Sequence, residues 1–175
     1  MPLPAEELNE KDLVVVGALD IGHAMMPLIR SHHGLPSPRR AFLLGGVSTV
    51  MDIRRVDSFT LEVRYPNGIL PGRMDRMVRS ERYPFAAGDR VETGLFAVLV
   101  LEGGGLGEPA RVRFTFKKSL DSPELLWMAF QAGQMASFEL PKLGEEVRVE
   151  PIKWYDVTRF LNSQAFVRMP PLESD

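Results

Sequence analysis

The sequence contains no cysteine and only three histidines among its 175 residues. The lack of cysteine excludes disulfide bonds, thiolate zinc sites and a cysteine nucleophile. Long hydrophobic runs are also lacking, because the longest, such as GLFAVLVL at 94–101, have about eight residues. A transmembrane helix needs roughly 20 apolar residues, so the chain as given is predicted to be soluble.

An excess of one charge is lacking too. The formal net charge is -2, and 25% of the residues are charged, which gives no indication of a nucleic-acid partner. Basic residues occur in short groups such as RRAF at 39–42, DIRR at 52–55 and DRMVRSER at 75–82. Each group is interpreted as a solvated face. No motif in the sequence indicates a cofactor.

The N-terminal segment predicts a strand followed by a helix. Leu13–Val16 is a short apolar run, typical of a strand that is buried on both faces. Apolar residues then recur with helical spacing from Ile21 to His32, with Asp20 as the N-cap and Gly34 as the stop. Pro27 favours a helix that begins nearer to position 27.

From residue 41 onward the pattern has period two, with turn signals about every 10 to 15 residues. This predicts an α+β fold that is mainly β. The expected architecture is an antiparallel curled sheet or partly open barrel of about seven to eight strands, with the N-terminal strand–helix unit packed on it. The expected organisation is a flexible lead-in at 1–11 and a single globular domain at 12–152. A C-terminal extension at 153–175 is expected to form a short helix and then a frayed tail.

Candidate catalytic residues are few. Asp20 and His23 follow the N-terminal strand at a position where α/β folds place ligands, and they could act as orienter and general base. The structural alternative is that Asp20 caps the helix and His23 is solvated. His23, His32 and His33 lack the i, i+3 or i, i+4 spacing of a helical metal site, so no metal is predicted.

A basic stripe is predicted in the middle of the chain. Arg73, Arg76, Arg79 and Arg82 recur at every third residue, so in a helix they would follow one side. Such a stripe could meet anionic lipid headgroups or an acidic partner surface. The alternative is an ordinary solvated segment.

The order of motifs between residues 12 and 151 resembles the C-terminal extramembrane region of uncharacterised multi-pass bacterial membrane proteins of the planctomycete type. Those regions combine an apolar strand, a G-x-P-x-P connection, an arginine–aspartate hairpin, a G-D-x-V strand and a tryptophan-bearing hairpin. One departure is the turn after the first strand, which is Gly17-Ala18-Leu19 here instead of an asparagine–proline type. The matching positions in this sequence are Gly34-Leu35-Pro36-Ser37-Pro38, Arg55, Asp57, Leu61, Gly88-Asp89, Val91, Gly107, Pro109, Phe114, Trp127, Pro141, Gly144 and Glu145.

The resemblance implies no known activity, and its motifs are turns and strand openings. The leading hypothesis is a non-enzymatic binding or interaction domain in a bacterial membrane protein system, on either side of the membrane. One alternative is a hydrolase-like enzyme with its site at the Gly17–His23 loop. Another is an accessory subunit that forms a homodimer through an exposed strand such as ARVRFTFKK at 110–118.

Overall fold

The computed structural model describes residues 10–17, 32, 34, 37–46, 48–69, 84–104, 108–131 and 134–152. These residues form ten strands. The strands are β1 (Asp12–Val15), β2 (Arg40–Leu43), β3 (Met51–Arg55), β4 (Thr60–Arg64), β5 (Arg90–Glu92), β6 (Phe96–Gly103), β7 (Pro109–Phe116), β8 (Leu125–Gln131), β9 (Gln134–Ser137) and β10 (Glu146–Val149). The prediction of a mainly β fold is therefore confirmed.

The strands belong to two open sheets, and not to one curled sheet or barrel as predicted. The larger sheet has six antiparallel strands in the order β10-β3-β4-β7-β6-β5. The smaller sheet has the order β2-β1-β8-β9. In the smaller sheet β1 is parallel to both β2 and β8, whereas β8 and β9 are antiparallel.

Strand β1 explains why the prediction of one antiparallel sheet with a separate N-terminal unit packed on it was wrong. Val14 and Val16 lie in the main core, whereas Leu13 and Val15 lie in a second apolar cluster with Met128. A strand that is buried on both faces takes a central place in its sheet. The connection from β1 to β2 spans residues 16–39, which is long enough for the crossover that a parallel pair requires. The predicted strand of the N-terminal unit is thus an interior strand of the smaller sheet, and its predicted helix lies outside the described residues.

Two further strand predictions need correction. The pattern AGDRVETGLFAVLVLE at 87–102 predicts one long strand that is opened by the Gly88-Asp89 turn, but β5 and β6 form a hairpin in this segment. The Thr93 hydroxyl accepts hydrogen bonds from the backbone N–H groups of Leu95 and Phe96, and these bonds close the turn. The predicted dimerising strand at 110–118 corresponds to β7, which pairs with β4 on one side and β6 on the other. Since both edges of β7 are already paired, β7 cannot add a strand from a second copy.

The two sheets pack on each other through a shared core. The segment FTLEVRY at 59–65 alternates, which predicts that Phe59, Leu61, Val63 and Tyr65 share one buried face. The last three are at most 1% exposed, whereas Phe59 is 47% exposed. Phe116 of the larger sheet packs against Trp127 of the smaller one, with ring centroids 5.4 Å apart. Such contacts between inward faces are the main source of stability of a two-sheet fold.

Candidate functional site

A buried carboxylate at the start of β1 organises one end of the smaller sheet. Asp12 lies between the first residues of β2 and β8, opposite Arg40 and Leu125. Its backbone N–H donates to the Glu124 carbonyl at 2.8 Å, and its side chain is 0% exposed. A buried carboxylate is destabilising unless cations and hydrogen bonds compensate for the lost hydration.

Two consecutive arginines provide that compensation. Arg39 donates to Asp12 through Nε at 3.0 Å and through Nη2 at 2.6 Å. Arg40 donates through Nε at 2.8 Å and through Nη2 at 2.6 Å. Each guanidinium therefore contacts both carboxylate oxygens, the strongest geometry that arginine offers to a carboxylate.

A second, exposed carboxylate extends this cluster. Glu124 lies 3.5 Å from Arg39 and also pairs with Lys118. Hydrogen bonding and charge from Lys118, with a smaller effect of Arg39, lower the pKa of Glu124. We call Asp12, Arg39, Arg40, Lys118 and Glu124 the Asp12 cluster; its three cations face two carboxylates.

The electrostatics of Asp12 suit a structural anion. Burial acts to raise the pKa of Asp12, but hydrogen bonds and charge from Arg40 and Arg39 outweigh burial and hold the pKa well below its usual range. The carboxylate therefore remains ionised and does not take up a proton near neutral pH. General acid–base catalysis favours a pKa near the working pH, so the chemistry of Asp12 fits the positioning of strands.

The cluster also connects the two sheets, and this gives a prediction. A Cβ atom at Gly94, in the β5–β6 turn of the larger sheet, would lie 2.6 Å from Arg40 Nη1. We expect Gly94→Ala to displace the Arg40 guanidinium and to lower the free energy of unfolding by about 1 kcal/mol. Urea denaturation would measure this change. Gly103→Ala is the matched control, because its Cβ would make an ordinary 3.5 Å contact with the Phe85 carbonyl; an equal loss in both variants would contradict the prediction.

The outward face of the larger sheet carries charged residues in rows that cross the strands. One row runs Glu146, Arg54, Glu62 and Arg113 across β10, β3, β4 and β7, so charges of opposite sign are neighbours. Within this row Arg113 Nη2 donates to Glu62 Oε1 at 2.6 Å. Opposite charges directly across an antiparallel pair stabilise the sheet.

The next row departs from this alternation. It runs Arg148, Asp52, Arg64 and Arg111, which places two arginines side by side on β4 and β7. Arg111 Nη2 pairs with Glu102 at 2.8 Å, and its Nε is buried without a hydrogen-bond partner. Like charges directly opposite each other are destabilising in a sheet. We call Arg64 and Arg111 the arginine pair; among the described residues Arg111 has an ion-pair partner, Glu102, and Arg64 has none.

The strand end that precedes the candidate catalytic residues holds a very small cavity. Val16 and Gly17, which follow β1, line a cavity of about 10 Å³ together with Met51, Ala129 and Val149, among other residues. A cavity of this size holds about one water molecule. The two candidate catalytic residues, Asp20 and His23, lie outside the described residues, as do Arg73, Arg76, Arg79 and Arg82.

Sequence reasoning missed the Asp12 cluster. The RRAF group was interpreted as a solvated face, but Arg39 and Arg40 converge on Asp12. One available signal was Asp12, which directly precedes the apolar run Leu13–Val16. Since that run forms a strand that is buried on both faces, the residue at its start is buried as well. A buried aspartate requires cationic partners, and those were 27 and 28 positions away.

The geometry defines a two-sheet β domain with a structural ion cluster at one end and a charged outward face. Comparisons of the chain with protein-family models, with curated proteins and with solved structures gave no match. Across the described ranges, no helix is long and apolar enough to cross a bilayer. The same residues contain no group of three or more histidine, aspartate or glutamate side chains that could hold a metal ion.

Proposed function

We propose that this chain is a non-enzymatic interaction domain in a bacterial membrane protein system. The observation that carries the proposal is the arginine pair on the outward face of the larger sheet. An antiparallel sheet with one solvated face presents a platform on which side chains keep fixed cross-strand positions. Two neighbouring guanidinium groups on such a platform suit a carboxylate from a partner protein, which would relieve their mutual repulsion.

The surroundings of the arginine pair support this choice of partner. Arg64 is exposed, and the side chain of Arg111 is 42% exposed, so a partner can reach both. Glu62 and Arg113, which lie in the neighbouring row, are already bonded to each other and hold the platform in place. The preferred partner surface is therefore acidic at its centre.

Three expectations from the sequence belong to the same proposal. The resemblance to extramembrane regions of multi-pass membrane proteins supplies the membrane context. The predicted N-terminal helix and the arginine stripe at Arg73, Arg76, Arg79 and Arg82 stay predictions. The stripe would add a second basic surface to the domain if the segment is helical.

Charge reversal tests the proposal directly. We expect the Arg64→Glu/Arg111→Glu variant to lose the acidic membrane-protein partner that the wild-type domain retains from solubilised bacterial membranes. Quantitative mass spectrometry of the retained proteins is the measurement, followed by an affinity titration with the purified partner. We expect the reversal to weaken binding by at least about tenfold, because each buried interfacial charge contact is worth about 2 kcal/mol or more.

Arg90→Glu is the matched control for this experiment. Arg90 lies on the same face at the edge strand β5, its side chain is 64% exposed, and it pairs with Glu92. We expect its reversal to change the partner affinity by less than about threefold. Retention of the same partner by all three proteins, with equal affinity, would remove the arginine pair from the proposal.

A further inference from the structure

Three exposed apolar side chains lie together at one end of the larger sheet. Val56, Phe59 and Leu143 are 40%, 47% and 67% exposed. Leu143 precedes β10, Val56 follows β3 and Phe59 precedes β4, and these three strands are consecutive neighbours in the sheet. We call these three residues the apolar tip. Since neighbouring strands are about 4.8 Å apart, the tip lies within a width of roughly 10 Å at the strand ends.

The two turns that carry the tip are fixed by their own hydrogen bonds. In the β3–β4 turn the Phe59 N–H donates to Asp57 Oδ1 at 2.6 Å, and the Val56 N–H donates to the Thr60 carbonyl at 2.9 Å. In the turn before β10 the Gly144 N–H donates to the Arg55 carbonyl at 2.8 Å. Gly144 has φ of 80°, which only glycine adopts without strain. The apolar side chains therefore project from a rigid scaffold.

One exposed lysine, Lys142, lies next to Leu143 of the tip. The other nearby lysine, Lys117, follows β7 and donates through Nζ to the Thr93 carbonyl at 2.9 Å, in the β5–β6 turn. Asp57 accepts the Phe59 N–H, and Asp121 accepts bidentate hydrogen bonds from Arg55. Glu145 is exposed in the same turn as Lys142, so the charges around the tip are nearly balanced.

We propose that the apolar tip is a membrane-contacting surface that inserts into the interfacial region of a lipid bilayer. A stable protein–protein interface needs about 800 Å² from each partner around a contiguous apolar centre, and three side chains on two turns supply only a small part of that area. A bilayer interface needs no matching partner surface, and each inserted apolar side chain adds to binding while Lys142 remains at headgroup level. Insertion depends mainly on apolar contact, because the local charge is nearly balanced.

This inference rests on the proposed membrane context and names a lipid surface as a direct contact. The apolar tip can be tested separately from the arginine pair, because the two features lie on different parts of the larger sheet. A domain that binds its acidic partner but no vesicles would overturn the apolar tip alone. A domain that binds vesicles but no such partner would overturn the arginine pair alone.

Vesicle flotation with the full chain tests the apolar tip. The probes are phosphatidylcholine vesicles and vesicles that also contain phosphatidylglycerol. We expect the wild type to float with both, and Phe59→Ser/Leu143→Ser to lower the partition coefficient by at least about tenfold. Val91→Ser is the matched control, since Val91 is 45% exposed on β5, away from the tip, and we expect less than about a twofold change.

Three outcomes would overturn the proposal. They are a wild type that floats with neither vesicle, a double variant that floats as well as the wild type, and an equal loss in Val91→Ser. Phe59→Trp gives a second readout that keeps the side chain apolar. We expect its fluorescence emission to shift to the blue when vesicles are added, and an unchanged spectrum with bound vesicles would equally contradict insertion at this turn.

Discussion

Replacing Asp12 with asparagine is expected to lower the free energy of unfolding by about 3 kcal/mol. Asparagine keeps the shape of the side chain but removes its charge, and its amide N–H groups would face guanidinium donors. Arg39 and Arg40 would each lose the hydrogen bond to the oxygen that the amide nitrogen replaces, and the bond to the remaining oxygen would lose the carboxylate charge. Their side chains are 43% and 35% exposed, so they can partly regain hydration, which keeps the expected loss near the lower end for a broken buried pair.

Urea denaturation at neutral pH is the measurement for Asp12→Asn. Glu124→Gln is the control, because Glu124 belongs to the same cluster but its side chain is 51% exposed. We expect Glu124→Gln to lower the free energy of unfolding by less than about 1 kcal/mol. Equal losses in the two variants would contradict the prediction, because they would show that burial of a carboxylate does not determine how much it contributes to the free energy of unfolding.

The same cluster predicts the behaviour of the protein in acid. The pKa of Asp12 is lowered in the folded state, whereas an unfolded aspartate titrates near about 3.9. The stabilisation from ionised Asp12 is therefore complete above about pH 4 and is lost as the pH falls toward the folded-state pKa. A plot of stability against pH should fall less steeply below pH 4 for Asp12→Asn than for the wild type.

The second large effect is expected in the core between the sheets. Trp127→Ala should lower the free energy of unfolding by about 4 kcal/mol, because it removes a buried aromatic ring and leaves a cavity. Trp127 packs against Phe116, and its Nε1 donates to the Leu120 carbonyl at 3.0 Å. The substitution therefore removes one aromatic contact between the sheets and also leaves a buried carbonyl oxygen without its donor.

Chemical denaturation of two variants separates these contributions. Trp127→Phe retains a ring against Phe116 but removes the donor to Leu120, so we expect a loss of about 1 to 2 kcal/mol. Val91→Ala alters a side chain that is 45% exposed and should change stability by less than about 0.5 kcal/mol. A loss in Trp127→Ala no greater than in Val91→Ala would contradict the assignment of Trp127 to the shared core.

The sequence predicted the local elements better than their arrangement. Turns at Gly68, Gly88 and Gly144 were recognisable because only glycine takes positive φ without strain, and all three have it. The alternation in β4 and β7 correctly predicted buried positions such as Leu61 and Val112. A period-two pattern indicates that a segment is a strand, but it does not indicate which other strand pairs with it. For this reason the sequence did not distinguish two packed sheets from one curled sheet.

By itself, the sequence determined that this protein is mainly β, that it contains no cysteine chemistry, and that its first apolar run is buried on both faces. Only the tertiary structure decided which charges meet. Asp12 binds two arginines 27 and 28 positions away, and Arg64 lies beside Arg111 because β4 pairs with β7. The Asp12 cluster, the arginine pair and the apolar tip all join residues from separate strands. Contacts of this kind depend on strand order and register, which are set by packing across the whole core, so a local pattern does not show which residues become partners.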